Sequence, residues 1–140
     1  MARIKLDLPE KFSFATEIPV RITDINYGGH LGNDSVLAVI HEARVRFLNK
    51  YGYTELNICG AGLIQSDAVI VFKAEAFYGD VIRVGVAVGD FSSTGCDFFF
   101  LLTNKADGKV IARAKTGIVF YDYTRKKPLR VPEEFLKLNG

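Results

Sequence analysis

An acid, an amide, an imidazole and the expected start of a helix fall within one short stretch, Asp24-Ile-Asn26-Tyr-Gly-Gly-His30-Leu-Gly-Asn33-Asp34. Together these groups suit acyl transfer. A carboxylate or imidazole activates water, and fixed N–H donors hold a carbonyl oxygen as it gains charge. The unpaired backbone N–H groups and positive dipole end of a helix favour that charge. The same residues also admit a purely structural reading, in which Asp24 and Asn26 satisfy the Gly28-Gly29 turn and Asn33 or Asp34 caps the helix. Elsewhere the two histidines, His30 and His41, and the two cysteines, Cys59 and Cys96, lack metal-ligand spacing. Phosphate-loop, dinucleotide and nucleophile-elbow motifs are missing. No metal or dissociable cofactor is expected.

The elements that must position these groups follow from hydrophobic period. Phe12, Phe14, Ile18, Val20 and Ile22 alternate with Ser13, Glu17 and Arg21, which predicts a half-buried strand. Continued past Ile22, that strand aims Asp24 and Asn26 toward the core, where a carboxylate needs a partner. After the glycine-rich break the period becomes helical. Val36, Leu37, Ile40, Ala43, Phe47, Leu48 and Tyr51 line one face of a helix of about 18 residues, with Gly52 as its C-terminal stop. A second strand places Ile64, Ala68, Ile70, Phe72 and Ala74 on one face and ends at Tyr78-Gly-Asp80. Three more follow, over Val81 to Gly89, Asp97 to Thr103 and Lys109 to Tyr123, the last pair joined at the Asp107-Gly108 turn. The tail reads as a basic loop and one helical turn.

One helix for five strands implies an α+β domain in which a single antiparallel sheet wraps the helix, leaving an uncovered face and free edges for a second copy. A homodimer is expected. The 140 residues, 49% hydrophobic and 24% charged, make one domain over residues 1–140. The longest apolar runs, Ala68 to Phe72 and Phe98 to Leu102, are far short of the roughly 20 residues that span a bilayer. The N-terminus alternates charged and apolar residues up to Pro9, unlike a secretory signal, and a cytoplasmic location is expected. A formal charge of +2 gives no nucleic-acid footprint.

The residues Asp24-x-Asn26-x-x-Gly29-His30-Leu31-x-Asn33, then His41-Glu42-Ala43-Arg44-x-x-Phe47-Leu48, then Tyr78-Gly79-Asp80, resemble the hotdog-fold thioesterases of the 4-hydroxybenzoyl-CoA thioesterase type. That family reads approximately D-x-D-x-x-G-H-V-N-N, E-E-A-R-x-x-F-L and Y-G-D, with residue-for-residue spacing from His30 to Arg44. The resemblance runs from the first strand to the Arg125-Lys-Lys-Pro128 segment. It implies a long central helix held by a curled five-stranded sheet, dimers or dimers of dimers, and hydrolysis of an acyl-CoA or acyl-carrier thioester at the dimer interface. It further implies that the backbone N–H at Asn33 polarises the thioester carbonyl, with Gly29 beside the substrate. Lys73, Arg125, Lys126 and Lys127 are then candidates for the phosphates of coenzyme A, which enters only as part of the substrate. One position departs from the pattern. The family's catalytic carboxylate is the second acid of D-x-D, which is Asn26 here, and an amide takes up no proton at neutral pH. The expected catalytic set is therefore Asp24 as base, Asn26 positioning substrate or water, and His30 assisting.

The residues admit two rival readings. Hydratases and dehydratases of the same fold carry D-x-N-P-x-H, but this stretch has one more residue, no proline and a strand before it. A non-catalytic acyl-binding protein would show just such a loss of the family's acid. Among the remaining polar residues, His41 reads as a partly buried structural histidine, Glu42 and Arg46 as an exposed ion pair, and Arg44 as reaching a carboxylate or covering apolar surface.

Overall fold

Pro19 and the local chemistry of Asp24 set the end of the first strand. In the computed structural model, which describes residues 3–138, strand β1 covers Phe14–Pro19 and the chain then makes a single 3₁₀ turn at Ile22–Asp24. The expected strand to Ile22 and beyond is therefore too long. Pro19 offers no N–H to a ladder, and the Asp24 carboxylate folds back onto the N–H of Arg21 at 2.9 Å, closing the turn. Ile18 is buried within the strand and Val20 just past its end, on the expected alternation. The expectations for Met1, Ala2, Asn139 and Gly140, including the outermost ends of the 1–140 domain, lie outside the described residues.

Helix α1 spans Asn33–Lys50, 18 residues, with Gly32 as N-cap and no side-chain cap bond. Gly52 follows it in the left-handed region at φ 79°, which a β-carbon would strain. Val36, Val39, Ile40, Ala43, Phe47 and Leu48 are buried. Leu37, expected on that face, is 43% exposed instead, because the apolar stripe centres on Val36, Ile40 and Phe47 and leaves it at the flank. Phe47 is fully buried and meets Phe14, Tyr51 and Phe98 at centroid distances of 5.8, 5.2 and 5.5 Å.

Strands β2 (Gly62–Phe72), β3 (Val81–Gly89), β4 (Gly95–Asn104) and β5 (Val110–Asp122) complete an antiparallel sheet in the order β1-β3-β4-β5-β2. A two-residue strand β6, Lys127–Pro128, adds to β5, and a short helix α2, Glu133–Leu136, follows it. The sheet curls around α1, which is the hotdog architecture. Strand β2 departs from simple alternation. Its register shifts between Gln65 and Asp67, so Ala68 is exposed and the single face expected from Ile64 to Ala74 is broken.

The outer face of the sheet is not left bare. Ala87 and Phe99 are buried yet stand outside the main core cluster. They line a depression together with Leu8 and Pro9 of the N-terminal segment, and Phe12 packs over Gly85, where a β-carbon would come within 3.0 Å of the ring. The N-terminal segment thus covers part of the face expected to need a second copy, and its residues Ile4 to Asp7 reach Val71 and Arg113 at the far side. No helix among the described residues is long and apolar enough to cross a membrane.

Candidate functional site

The chemistry-bearing residues sit on the segment between β1 and α1, and local hydrogen bonds dictate where each one faces. Asp24 is 5% exposed and receives, besides the Arg21 N–H, the Arg21 guanidinium at 3.3 and 3.2 Å. These contacts hold the Arg21 guanidinium above its ordinary pKa. The buried acid is thereby satisfied, and its backbone carbonyl accepts the Gly32 N–H at 3.0 Å. It lines a depression with Arg21, Glu42 and Arg46.

Asn26 builds the next loop. Its amide oxygen accepts the N–H groups of Gly28 at 2.9 Å and His30 at 3.4 Å, and its own N–H donates to the His30 carbonyl at 2.9 Å. Gly29 stands exposed at the tip with φ 83°, donating to the Asn26 carbonyl at 3.0 Å. A Gly28 β-carbon would lie 3.3 Å from both Asn26 Oδ1 and His30 Nε2. The loop is pinned to the body of the protein by Leu31 N–H on the Ala76 carbonyl at 2.7 Å.

This loop delivers His30 to the head of α1. His30, Asn33, Lys73 and Glu75 line a cleft of about 240 Å³ whose apolar walls are Leu31, Val36, Phe72 and Ile111. His30 Nδ1 lies 3.3 Å from the Leu31 carbonyl, and a carbonyl only accepts, so in the neutral ring Nδ1 carries the proton and Nε2 keeps its lone pair. Nε2 is 3.9 Å from Glu75 Oε1. At the helix start the first helical backbone bond runs from Val36 N–H to the Gly32 carbonyl. The N–H groups of Asn33, Asp34 and Ser35 precede it and have no acceptor among the described residues. His30 and the start of α1 at Asn33 thus border one apolar-walled space, and a proton acceptor beside a helix N-terminus is the equipment for adding water to a carbonyl.

The structure therefore brings together His30, Asn33 and Lys73, with Asn26 shaping the loop behind them, and it sets Asp24 apart. Glu75 escaped the sequence reading. It belongs to no motif, and only the Leu31–Ala76 contact, which joins distant segments, brings it to His30. Lys73 and the basic turn are also separate within one protomer. Lys73 N–H bonds to Ile111 at the start of β5, whereas Lys127 pairs with Asp122 at its other end, roughly 35 Å along the strand. Arg125 is engaged there with Asp122, whose carboxyl the Arg125 N–H holds below its ordinary pKa.

The second motif segment is structural. Arg44 is buried and donates to Glu55 and Gln65, each at 2.9 Å, while His41, exposed rather than partly buried, meets Glu55 at 2.7 Å. Burial raises the Glu55 carboxyl, but the hydrogen bonds from His41 and Arg44 outweigh it and leave the group below its ordinary value. Glu42 and Arg46 form the expected i,i+4 pair at 2.8 Å. Among the described residues no group of three or more His, Cys, Asp or Glu is placed to hold a metal ion.

Comparison with known proteins agrees with the architecture. The model of the thioesterase-like superfamily matches residues 20–138. Slr0204, a 1,4-dihydroxy-2-naphthoyl-CoA thioesterase from Synechocystis, superposes with a TM-score of 0.81 at 23% identity, covering 89% of this chain and 93% of that one. A DHNA-CoA thioesterase from Staphylococcus aureus gives 0.77 at 19%, covering 88% and 83%. The hypothetical protein SAV2348 from Staphylococcus aureus, solved in complex with CoA, gives 0.78 at 16%, covering 96% and 85%. No curated protein matches the chain.

Proposed function

The chain belongs to the thioesterase-like superfamily, and from that premise we propose that it is a thioester hydrolase that cleaves an acyl-CoA thioester in the cleft beside the N-terminus of α1. The observation that carries this reading is that His30 and Asn33, the first residue of α1, line one apolar-walled cleft. The thioester carbonyl oxygen lies against the Asn33 N–H. His30 Nε2 takes a proton from water as the water oxygen bonds to the carbonyl carbon. The oxyanion of the tetrahedral intermediate is held by the helix N-terminus, and Glu75 offsets the charge of the imidazolium. Cleavage of the C–S bond releases the thiolate, which takes the proton back from His30. The products are free acid and thiol, and coenzyme A takes part only as half of the substrate.

In this scheme Asn26 is a positioning residue whose amide oxygen orders the loop carrying His30. Asp24 is another, acting through Arg21 and the Gly32 N–H. Lys73 contacts the CoA arm at the cleft mouth. The protein acts as a homodimer joined along the free edge of β2, where Gln65, Ser66, Asp67 and Ala68 are exposed beside unpaired backbone groups. Arg125, Lys126 and Lys127 then serve only a site on the partner copy.

Thiol release from short-chain, long-chain and aromatic acyl-CoAs tests the proposal and identifies the acyl class. Turnover of at least one series supports it. Absence of thiol release from every series, with acyl-CoA still raising the melting temperature, would replace it with ligand binding alone. Light scattering at micromolar concentration tests the dimer.

A further inference from the structure

Lys73 lines a second depression besides the cleft. On the outer side of the sheet, the N-terminal segment and the end of β2 enclose a groove of about 250 Å³ that presents Lys5, Lys73 and Arg113, with Asp7 as its only acidic residue. None of the three cations has an ion-pair partner within 4.0 Å among the described residues. Their grouping follows from the fold. Arg113 stands opposite Val71 in the β2–β5 ladder, Lys73 comes directly after the end of β2, and the N-terminal segment brings Lys5 to the same groove. Three cations facing one groove outnumber its single carboxylate, Asp7, and an anion with several negative oxygens balances the excess positive charge. Arg113 supplies a planar fork suited to a phosphate, and the two lysines supply point charges.

We propose that Lys5, Lys73 and Arg113 seat the phosphate-bearing nucleotide end of a CoA thioester, a role the sequence reading gave to Lys73 with Arg125, Lys126 and Lys127. The proposal rests on the acyl-CoA reading above. Because Lys73 borders both spaces, a thioester at the Asn33 N–H leads its pantetheine arm over the end of β2 and delivers its phosphates to the groove. The N-terminal segment is then part of the binding site as well as a cover for the outer face. The acyl group and the nucleotide are recognised on opposite sides of the sheet edge.

The test compares an acyl-CoA with the same acyl group on pantetheine, which lacks the nucleotide. In the double variant Lys5→Gln/Arg113→Gln, KM for the acyl-CoA rises about tenfold while KM for the pantetheine thioester moves less than twofold. Added salt raises the wild-type KM for the acyl-CoA and has a weaker effect on the variant. Adenosine 3′,5′-bisphosphate alone binds the wild type in calorimetry and binds the double variant about tenfold more weakly. Equal changes for the two thioesters, or no change for either, overturn the proposal. So does a tenfold rise in KM confined to Arg125→Gln/Lys126→Gln/Lys127→Gln. Failure of the seat leaves wild-type acyl-CoA turnover intact, whereas a wild type that releases no thiol from any acyl-CoA removes the acyl-CoA reading and this proposal with it.

Discussion

Replacing Arg44 with Met keeps the aliphatic stem of the side chain and removes its two bonds, to Glu55 and to Gln65. Loss of one partner from a fully buried ion pair costs about 3–5 kcal/mol, because the other charge is stranded. Glu55 is not fully buried. Its side chain is 27% exposed and keeps the 2.7 Å contact with His41, which lowers the expected cost to about 2 kcal/mol. For a domain of this size that corresponds to a fall in Tm of roughly 4–8 °C. The double variant Arg44→Met/Glu55→Gln removes the stranded charge and should recover about half of the loss; with a cost of about 1 kcal/mol for Glu55→Gln alone, the coupling energy is about 2 kcal/mol. Urea denaturation of the four members of the cycle measures it. Additive losses, or a single-variant cost below about 0.5 kcal/mol, would refute the claim that this pair fastens α1 to the segment before β2.

The same network carries a pH dependence. The Glu55 carboxyl lies below its ordinary value in the folded protein, so its contribution is present above the unfolded value of 4.5 and is lost as pH falls through the folded value. Glu55→Gln should thus destabilise at pH 7 and be nearly neutral at pH 3, as thermal melts across that range would show. Thr116 is fully buried on the inner face of β5 and its hydroxyl has no partner among the described residues, so Thr116→Val should raise stability by about 1 kcal/mol in chemical denaturation. A chromogenic thiol reagent at pH 8 should modify one cysteine per native chain. Cys59 is exposed, whereas burial, aided by Asp97, pushes the Cys96 thiol up to about 12.

The fold was legible because each element carries its own period. Val36, Ile40, Ala43, Phe47 and Leu48 announce the helix that the structure contains, and Asp107-Gly108 marks a real turn with Gly108 at φ 74°. What escaped was set by contacts between distant segments or by single hydrogen bonds. The bulge between Gln65 and Asp67 follows from Asp67 Oδ1 accepting the Gly117 N–H at 2.9 Å, and periodicity contains no trace of that bond. The N-terminal cover over Ala87 and Phe99 is tertiary in origin.

The candidate site was legible to a similar depth. Residue types placed His30 near a helix start, and the structure joins them. The face of Asp24 was inferred from continued strand geometry, which the Arg21–Asp24 turn interrupts, so the acid is buried as expected but beside a different depression. Asn26 stands where the family carries an acid, and its oxygen is occupied by two backbone N–H groups. Glu75, the carboxylate that does face His30, has no sequence signature.

The central claim is that His30, and not Asp24, removes the proton from water in the cleft. Thiol release by wild type, His30→Gln and Asp24→Asn, each checked for native melting, tests it directly on the best acyl-CoA of the panel. The account predicts that His30→Gln lowers kcat by about 10²–10⁴ with little change in KM, while Asp24→Asn stays within about tenfold of wild type. Full turnover by His30→Gln, or a comparable collapse in a well-folded Asp24→Asn alone, would contradict it.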